Sequence, residues 1–313
     1  MVGITGAPAA WAQGQSWPAR PVRLVVNFSP GSSPDVLARA ISVPLSQALG
    51  QPVVVDNRAG ASGMIGADLV AKAPPDGYTL LMTAGSTITT NPFIYPKMAY
   101  DTEKDLVPVA AAARLALFLD IRPNLPVKNF KEFLAYVKAN PGKLSYGSAG
   151  NATGLHLAGE MLKSQAGVDA VHVPYKGASP ALQDLLAGQI DFYFDPGIAL
   201  RHVRDGKLRM LGVAAKHRSS AFPDVPTLDE MGLKGFDAGT THGFYAPAGT
   251  PADIVVKLNR EINKTLTQPQ VLAQIANIGA DATPLTPQQF AAVMADDSRR
   301  YGAVIKERNI KAD

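Results

Sequence analysis

The chain contains no cysteine. That excludes disulfides, thiolate nucleophiles and zinc–thiolate sites, and it leaves the redox compartment open, because a chain without thiols folds in either environment. Charge is sparse: charged residues make up 18%, the formal net charge is +4, and no five basic residues stand together. The clustered basic face that nucleic-acid binding requires is therefore missing. No stretch reaches the roughly 20 apolar residues of a membrane span. Catalytic signatures are also lacking. There is no His-Glu-x-x-His, and His156, His172, His202, His217 and His242 form no ligand pattern, so neither metal nor cofactor is expected. His156 and Glu160, at i and i+4, read as ordinary residues of one helix. The nearest approach to the Gly-x-Ser-x-Gly elbow of serine hydrolases is Tyr146-Gly147-Ser148-Ala149-Gly150, which begins with tyrosine.

The 313 residues are 46% hydrophobic, an ordinary globular balance and enough chain for two domains. Uncharged Met1 to Ala12 ends in Ala10-Trp11-Ala12, a small-x-small cleavage pattern, so residues 1–12 read as the remnant of a signal peptide and the mature chain as exported and soluble. Beyond it, strand-like and helix-like patterns alternate, which predicts an α/β fold with largely parallel sheets. Val22–Asn27, Val53–Val55, Thr79–Met82, Leu115–Ile121, Leu144–Tyr146, Ala170–Val173, Ile190–Phe194 and Met210–Ala214 read as strands. Phe130, Phe133, Leu134 and Val137 fall at i, i+3, i+4 and i+7, which predicts a helix over 129–139. Two Pro-rich segments, Arg122–Pro126 and Ala246–Pro251, read as crossings between domains.

The most informative stretch is Val22 to Asp35, a short apolar run, a Ser/Pro/Gly loop, and then a helical pattern opened by Asp35. A strand that turns sharply into a helix presents unpaired backbone N–H groups and the positive end of the helix dipole, a setting that favours an anion. The loop carries neither the Walker nor the dinucleotide glycine pattern, so the expected ligand is a small anion such as a carboxylate. The same arrangement recurs at Thr83–Thr87 and at Gly147–Gly154, each a small hydroxyl- and glycine-rich loop after a strand. Ligands of open α/β sheets bind outside the carboxyl ends of strands, so the three loops are expected to face one cleft.

These blocks resemble the Bug/TctC family, the extracytoplasmic solute-binding proteins of tripartite tricarboxylate transporters. The resemblance rests on Trp17-Pro18, Arg23–Val26 and Pro30-Gly31 with Asp35, on Leu49–Arg58 with Gly60 and Gly66, and on Pro75–Leu80. It continues through Val173–Gly177, Asp184–Gly188 with Asp191, and Ala246–Pro251. It implies a type II-like, two-lobed periplasmic-binding-protein fold with a hinge and an interlobe cleft. Lobe 1 would comprise residues 17–122 and 245–313, and lobe 2 residues 123–244. It further implies a non-enzymatic, monomeric receptor that binds a small organic acid, di- or aromatic carboxylate favoured, and delivers it to transporter membrane subunits. The implied ligand-binding residues are Phe28, Ser29, Gly31, Ser32, Ser33, Ala84, Gly85, Ser86 and Thr87 in lobe 1. In lobe 2 they are Ser148, Ala149, Asn151, Ala152, Thr153, Tyr175, Gly177 and Asp195, with Lys176 as a nearby cation. The chain departs from the family at Ser32, which stands where a glycine is usual. Two alternatives stay open: a sensor presenting a bound carboxylate to a receptor, and a hydrolase using Ser148 with His156 or His242.

Overall fold

The computed structural model describes residues 17–311, so the expected signal remnant lies outside the described residues. Val22–Val26 forms strand β1, with Val22, Leu24, Val25 and Val26 fully buried. A strand apolar on both faces needs cover on both sides. β1 accordingly lies inside a sheet, parallel to β2 (Val53–Asn57) and β3 (Thr79–Thr83). Leu37, Ile41 and Leu45 of helix α1 (Ser33–Leu49) pack on one face against Val22, Leu24 and Val26. Ala67 and Val70 of α2 (Met64–Ala71) close the other face over Val25 and Leu81. Two short helices, α3 (Gly85–Thr89) and α4 (Asn91–Ile94), follow β3.

The chain then enters β4 (Leu106–Leu115) and changes sheet across Ala116-Leu117 into β5 (Phe118–Ile121). The second sheet is built from β6 (Ser145–Ser148), β7 (Val171–Pro174), β8 (Phe192–Asp195) and β9 (Arg209–Val213), in the order β7-β6-β8-β5-β9. Its helices are α5 (Phe130–Ala139), α6 (Gly154–Ala166), α7 (Ala178–Leu186) and α8 (Leu200–Arg204). Asn129 starts α5 by accepting a hydrogen bond from the Glu132 amide at 2.9 Å. The chain returns to the first sheet through β10 (Thr240–Pro247) and finishes with α9 (Ala252–Thr265), α10 (Pro269–Asn277), β11 (Ala280–Ala282) and α11 (Pro287–Glu307). The first sheet runs β11-β4-β10-β3-β1-β2.

Three expectations need correction. The run 115–121 is not one strand: Leu115 ends β4 in the first sheet and Phe118 begins β5 in the second. The change of sheet thus precedes the Pro-rich segment at Arg122, and the return precedes the one at Ala246, because β10 already pairs with β3 and β4. Both sheets are mixed rather than largely parallel, since β10 is antiparallel to both neighbours and β5 is antiparallel to β8 and β9.

The last helix spans both halves. Phe290 and Met294 pack under the first sheet, while Tyr301 and Ile305 join the core of the second. A buried ion cluster ties α11 to both crossings. Arg114, near the end of β4, donates to Asp237 (2.6 Å), Asp297 (3.3 Å), Thr241 Oγ1 (2.9 Å) and the Gly239 carbonyl (3.2 Å). Arg300 pairs with Asp237 at 2.6 Å and also with Asp297. Burial works to raise Asp237, but the two guanidinium groups outweigh it and hold the carboxyl below its ordinary range. For Asp297 burial wins, and its pKa is raised. Among the described residues, no helix is long and apolar enough to cross a membrane.

Candidate functional site

A cavity of about 300 Å³ lies between the two sheets, at the ends of β1, β3 and β6. Phe28, Ser33, Ala84 and Ser86 come from the first two loops, and Ala149, Asn151, Ala152, Thr153 and Gly154 from the third. The back wall is the pair of crossings, Leu115 and Leu117 on one and Ala238 and Thr240 on the other. Among the described residues, no Asp, Glu, Lys or Arg lines it. A surface cleft of about 700 Å³ is larger, but it carries the carboxylates of Asp101, Glu103 and Asp105, which would repel an anion.

Two long helices begin at this cavity without side-chain caps. Ser32 takes an extended backbone at the N-cap of α1, yet makes no side-chain bond to the first turn, and its buried Oγ has no partner among the described residues. Thr153 holds the same place before α6, and its hydroxyl donates to the Gly150 carbonyl at 2.8 Å instead of capping the helix. First-turn amides without caps, and the roughly half unit of positive charge at the N-terminus, are available to an anion at α6, whereas in the first turn of α1 Pro34 has no N–H and the Asp35 carboxylate already offsets the dipole. The α6 loop takes a costly shape. Ala152 has φ +59°, a left-handed value worth about 1–2 kcal/mol of strain, and its amide donates to His156 Nδ1 at 3.0 Å.

Hydrogen bonds elsewhere decide which of the expected residues reach the cavity. Phe28, Ser33, Ala84, Ser86, Ala149, Asn151, Ala152 and Thr153 line it. Ser29 and Gly31 are exposed, and Ser32 does not line it. That loop is drawn back by Asp35, which accepts from the Gly31 amide at 2.9 Å, and by Asn57, which donates to the Phe28 carbonyl at 3.0 Å. Gly85 is packed so that a Cβ would strike the Thr241 carbonyl, and the buried Thr87 hydroxyl accepts from Asn27 at 3.2 Å. The Ser148 hydroxyl is buried, 3.0 Å from the Gly150 carbonyl and 2.7 Å from His172 Nε2. It therefore braces the loop from behind, and it is not open to a substrate as the hydrolase alternative would need.

Tyr175 turns away to donate to Asp184 at 2.6 Å, Gly177 is the N-cap of α7, and Lys176 is exposed outside the cavity. Asp195 points into the protein and accepts from the amides of Ile198 and Ala199, both at 3.0 Å, while its neighbour Pro196 takes the wall position. Burial pushes the Asp195 carboxyl up to about 7 in spite of those amides. The fully buried Asp120 beside it is raised well above the usual carboxylate range, by burial first and by Asp195 second.

Several wall residues lie outside the implied ligand-binding set, His242 having entered only with the hydrolase alternative. Asn91, whose Nδ2 donates to the Ser62 carbonyl at 3.0 Å, enters from α4. Thr240 and His242 enter from β10, and Tyr301 from α11. His242 lies 2.9 Å from Ser33 Oγ through Nε2, and burial drives its pKa down to about 3, so its ring is neutral at physiological pH. Thr240-Thr241-His242-Gly243-Phe244 shows no polar/apolar alternation, so no local pattern marks His242 as facing inward.

Comparisons with known proteins bear on the family and the fold. A family model described as the tripartite tricarboxylate transporter family receptor matches residues 37–310. The protein BugT of Bordetella pertussis is 38% identical over 317 aligned residues, covering 99% of this chain and 97% of BugT. A solved structure of an R. palustris protein with adipate superposes with a TM-score of 0.83 at 34% identity, covering 95% of this chain and all of that one (100%). The structure of MatC from Rhodopseudomonas palustris with bound malate superposes with a TM-score of 0.77 at 35% identity, covering 92% and 100%.

Proposed function

The chain belongs to the tripartite tricarboxylate transporter receptor family, and from that premise we propose that it captures a small organic carboxylate in the periplasm and hands it to the membrane subunits of such a transporter. A protein of this family is a solute-binding protein and not an enzyme. One observation carries the ligand class: an uncharged cavity onto which α6 opens its uncapped N-terminus, with the Ser33 hydroxyl at the start of α1 on its wall. A carboxylate there gains the α6 dipole and charge-assisted bonds from amides and from Ser33 and Ser86, with waters filling the remaining gaps. The apolar wall of Phe28, Ile94, Leu115, Leu117 and Leu155 favours an aliphatic or aromatic body between polar ends. Relatives held with adipate and malate support the same class.

The lobes close about the two crossings. We place the hinge at Ala116-Leu117 and Gly239, where the chain changes sheet, a few residues before the Pro-rich segments. The ligand stabilises the closed form to the extent that it touches both lobes at once.

A thermal-shift screen of mono-, di-, tri- and aromatic carboxylates, adipate and malate included, tests the reading. At least one acid should raise the melting temperature, since a ligand that binds only the folded state stabilises it by linkage. No shift with any acid, together with native mass spectrometry showing no co-purified ligand, would refute it.

A further inference from the structure

Building on the carboxylate reading, we propose that His242 is a positioning residue: it keeps its ring proton on Nε2, donates it to Ser33 Oγ, and so frees the Ser33 hydroxyl proton for the ligand.

The two side chains come from distant parts of the chain and meet on one wall. Ser33 is the first residue of α1, and His242 stands on β10. Both line the cavity, and His242 is only 2% exposed. At 2.9 Å one of the pair must donate to the other, and a neutral imidazole allows two arrangements.

If Ser33 donates to a bare Nε2, the ring proton sits on Nδ1. That atom is buried and has no hydrogen-bond partner among the described residues, and an orphaned N–H is among the rarest states in a protein interior. The Ser33 oxygen would then turn only lone pairs toward the cavity and repel an anion. If Nε2–H donates to Ser33, the orphan on Nδ1 is a lone pair and no N–H, and the hydroxyl proton turns outward to a carboxylate oxygen in a charge-assisted bond. The anion and the buried ring therefore favour the same tautomer. Because the ring stays neutral, it sets this donor without adding a cation to an uncharged cavity.

Two measurements test the proposal. Long-range 15N–1H spectra of the ligand-free protein at pH 7, with His242 assigned by its loss in His242→Gln, should show a protonated Nε2 and a bare Nδ1. A protonated Nδ1 would overturn the proposal whatever the acid screen finds. The second is a double-mutant cycle by calorimetry, using the acid with the largest thermal shift. Ser33→Ala should weaken binding on the order of tenfold or more, the worth of a hydrogen bond to a charged group. His242→Phe should do the same alone, yet change affinity less than about twofold once Ser33 is alanine. Additive losses would refute the coupling while leaving the carboxylate reading intact. Failure of every acid to bind would sink both.

Discussion

Removing Arg114 should unfold the junction between the two halves at a measurable cost. Its guanidinium makes four hydrogen bonds, to two carboxylates that are each 4% exposed, to Thr241 and to the Gly239 carbonyl. Arg114→Met keeps much of the stem's volume but leaves Asp237 and Asp297 on Arg300 alone, with one negative charge in excess. Breaking a buried ion network by deleting one partner costs about 3–5 kcal/mol, because the remaining charge stays buried and uncompensated. The cost should depend on pH. Asp297 is already raised by burial, and without Arg114 it loses a counter-charge and rises further. It can then relieve the imbalance by taking up a proton, so the penalty is largest at pH 8 and shrinks toward pH 5. Urea unfolding of the wild type, Arg114→Met, Asp297→Asn and the double variant at both pH values measures this. The neutral amide that Asp297→Asn introduces should recover about 1–3 kcal/mol of the Arg114→Met loss. A loss under about 1 kcal/mol at pH 8, or additivity in the cycle, would show that the cluster does not hold the crossings to α11.

Two other perturbations follow from the geometry. At Gly159 of α6 a Cβ would fall inside the contact distance of the Tyr146 ring, which is stacked on His172 and Phe192 with centroids 4.9 and 5.4 Å away and donates to Glu160 at 2.8 Å. Gly159→Ala should therefore cost about 1–3 kcal/mol by overpacking, in spite of alanine's better helix propensity, and an unchanged or raised melting temperature would contradict the packing. His242 has a folded pKa of about 3 against about 6.5 unfolded, so the unfolded chain binds the extra proton, and stability is lost as pH falls through 6.5 toward 3. From pH 7 to pH 5 this amounts to about 2 kcal/mol. Asp195, raised to about 7, works in the opposite sense over the same range, so the readout is the difference between wild type and His242→Phe: the variant should lose about 2 kcal/mol less on acidification, and parallel pH profiles would refute the burial of a neutral ring.

What could be read from the sequence was what local pattern determines. β1 and its loop were legible because a short apolar run, a Ser/Pro/Gly turn and a helical period fall within one continuous stretch. β4 was not, because Ala110-Ala111-Ala112-Ala113 has no β propensity of its own. It is a strand because both faces are covered so closely, by α9 and α11, that only small side chains fit. The same division runs through the site. All three hydroxyl- and glycine-rich loops reach the cavity, since each follows a strand and starts a helix there. Within each loop the choice of residue depends on a partner far away in sequence: Asn57 on the Phe28 carbonyl, His172 on Ser148, Asn27 on Thr87. Tyr301 shows the limit of periodicity. With Phe290, Met294 and Ile305 it falls on one apolar helical stripe, and it is core, yet the same ring lines the cavity while its hydroxyl donates to the Gly239 carbonyl at 2.9 Å. A helix pattern reports which face is buried but not what it is buried against. For a site assembled where the chain crosses twice between sheets, the second fact decides which side chains meet the ligand.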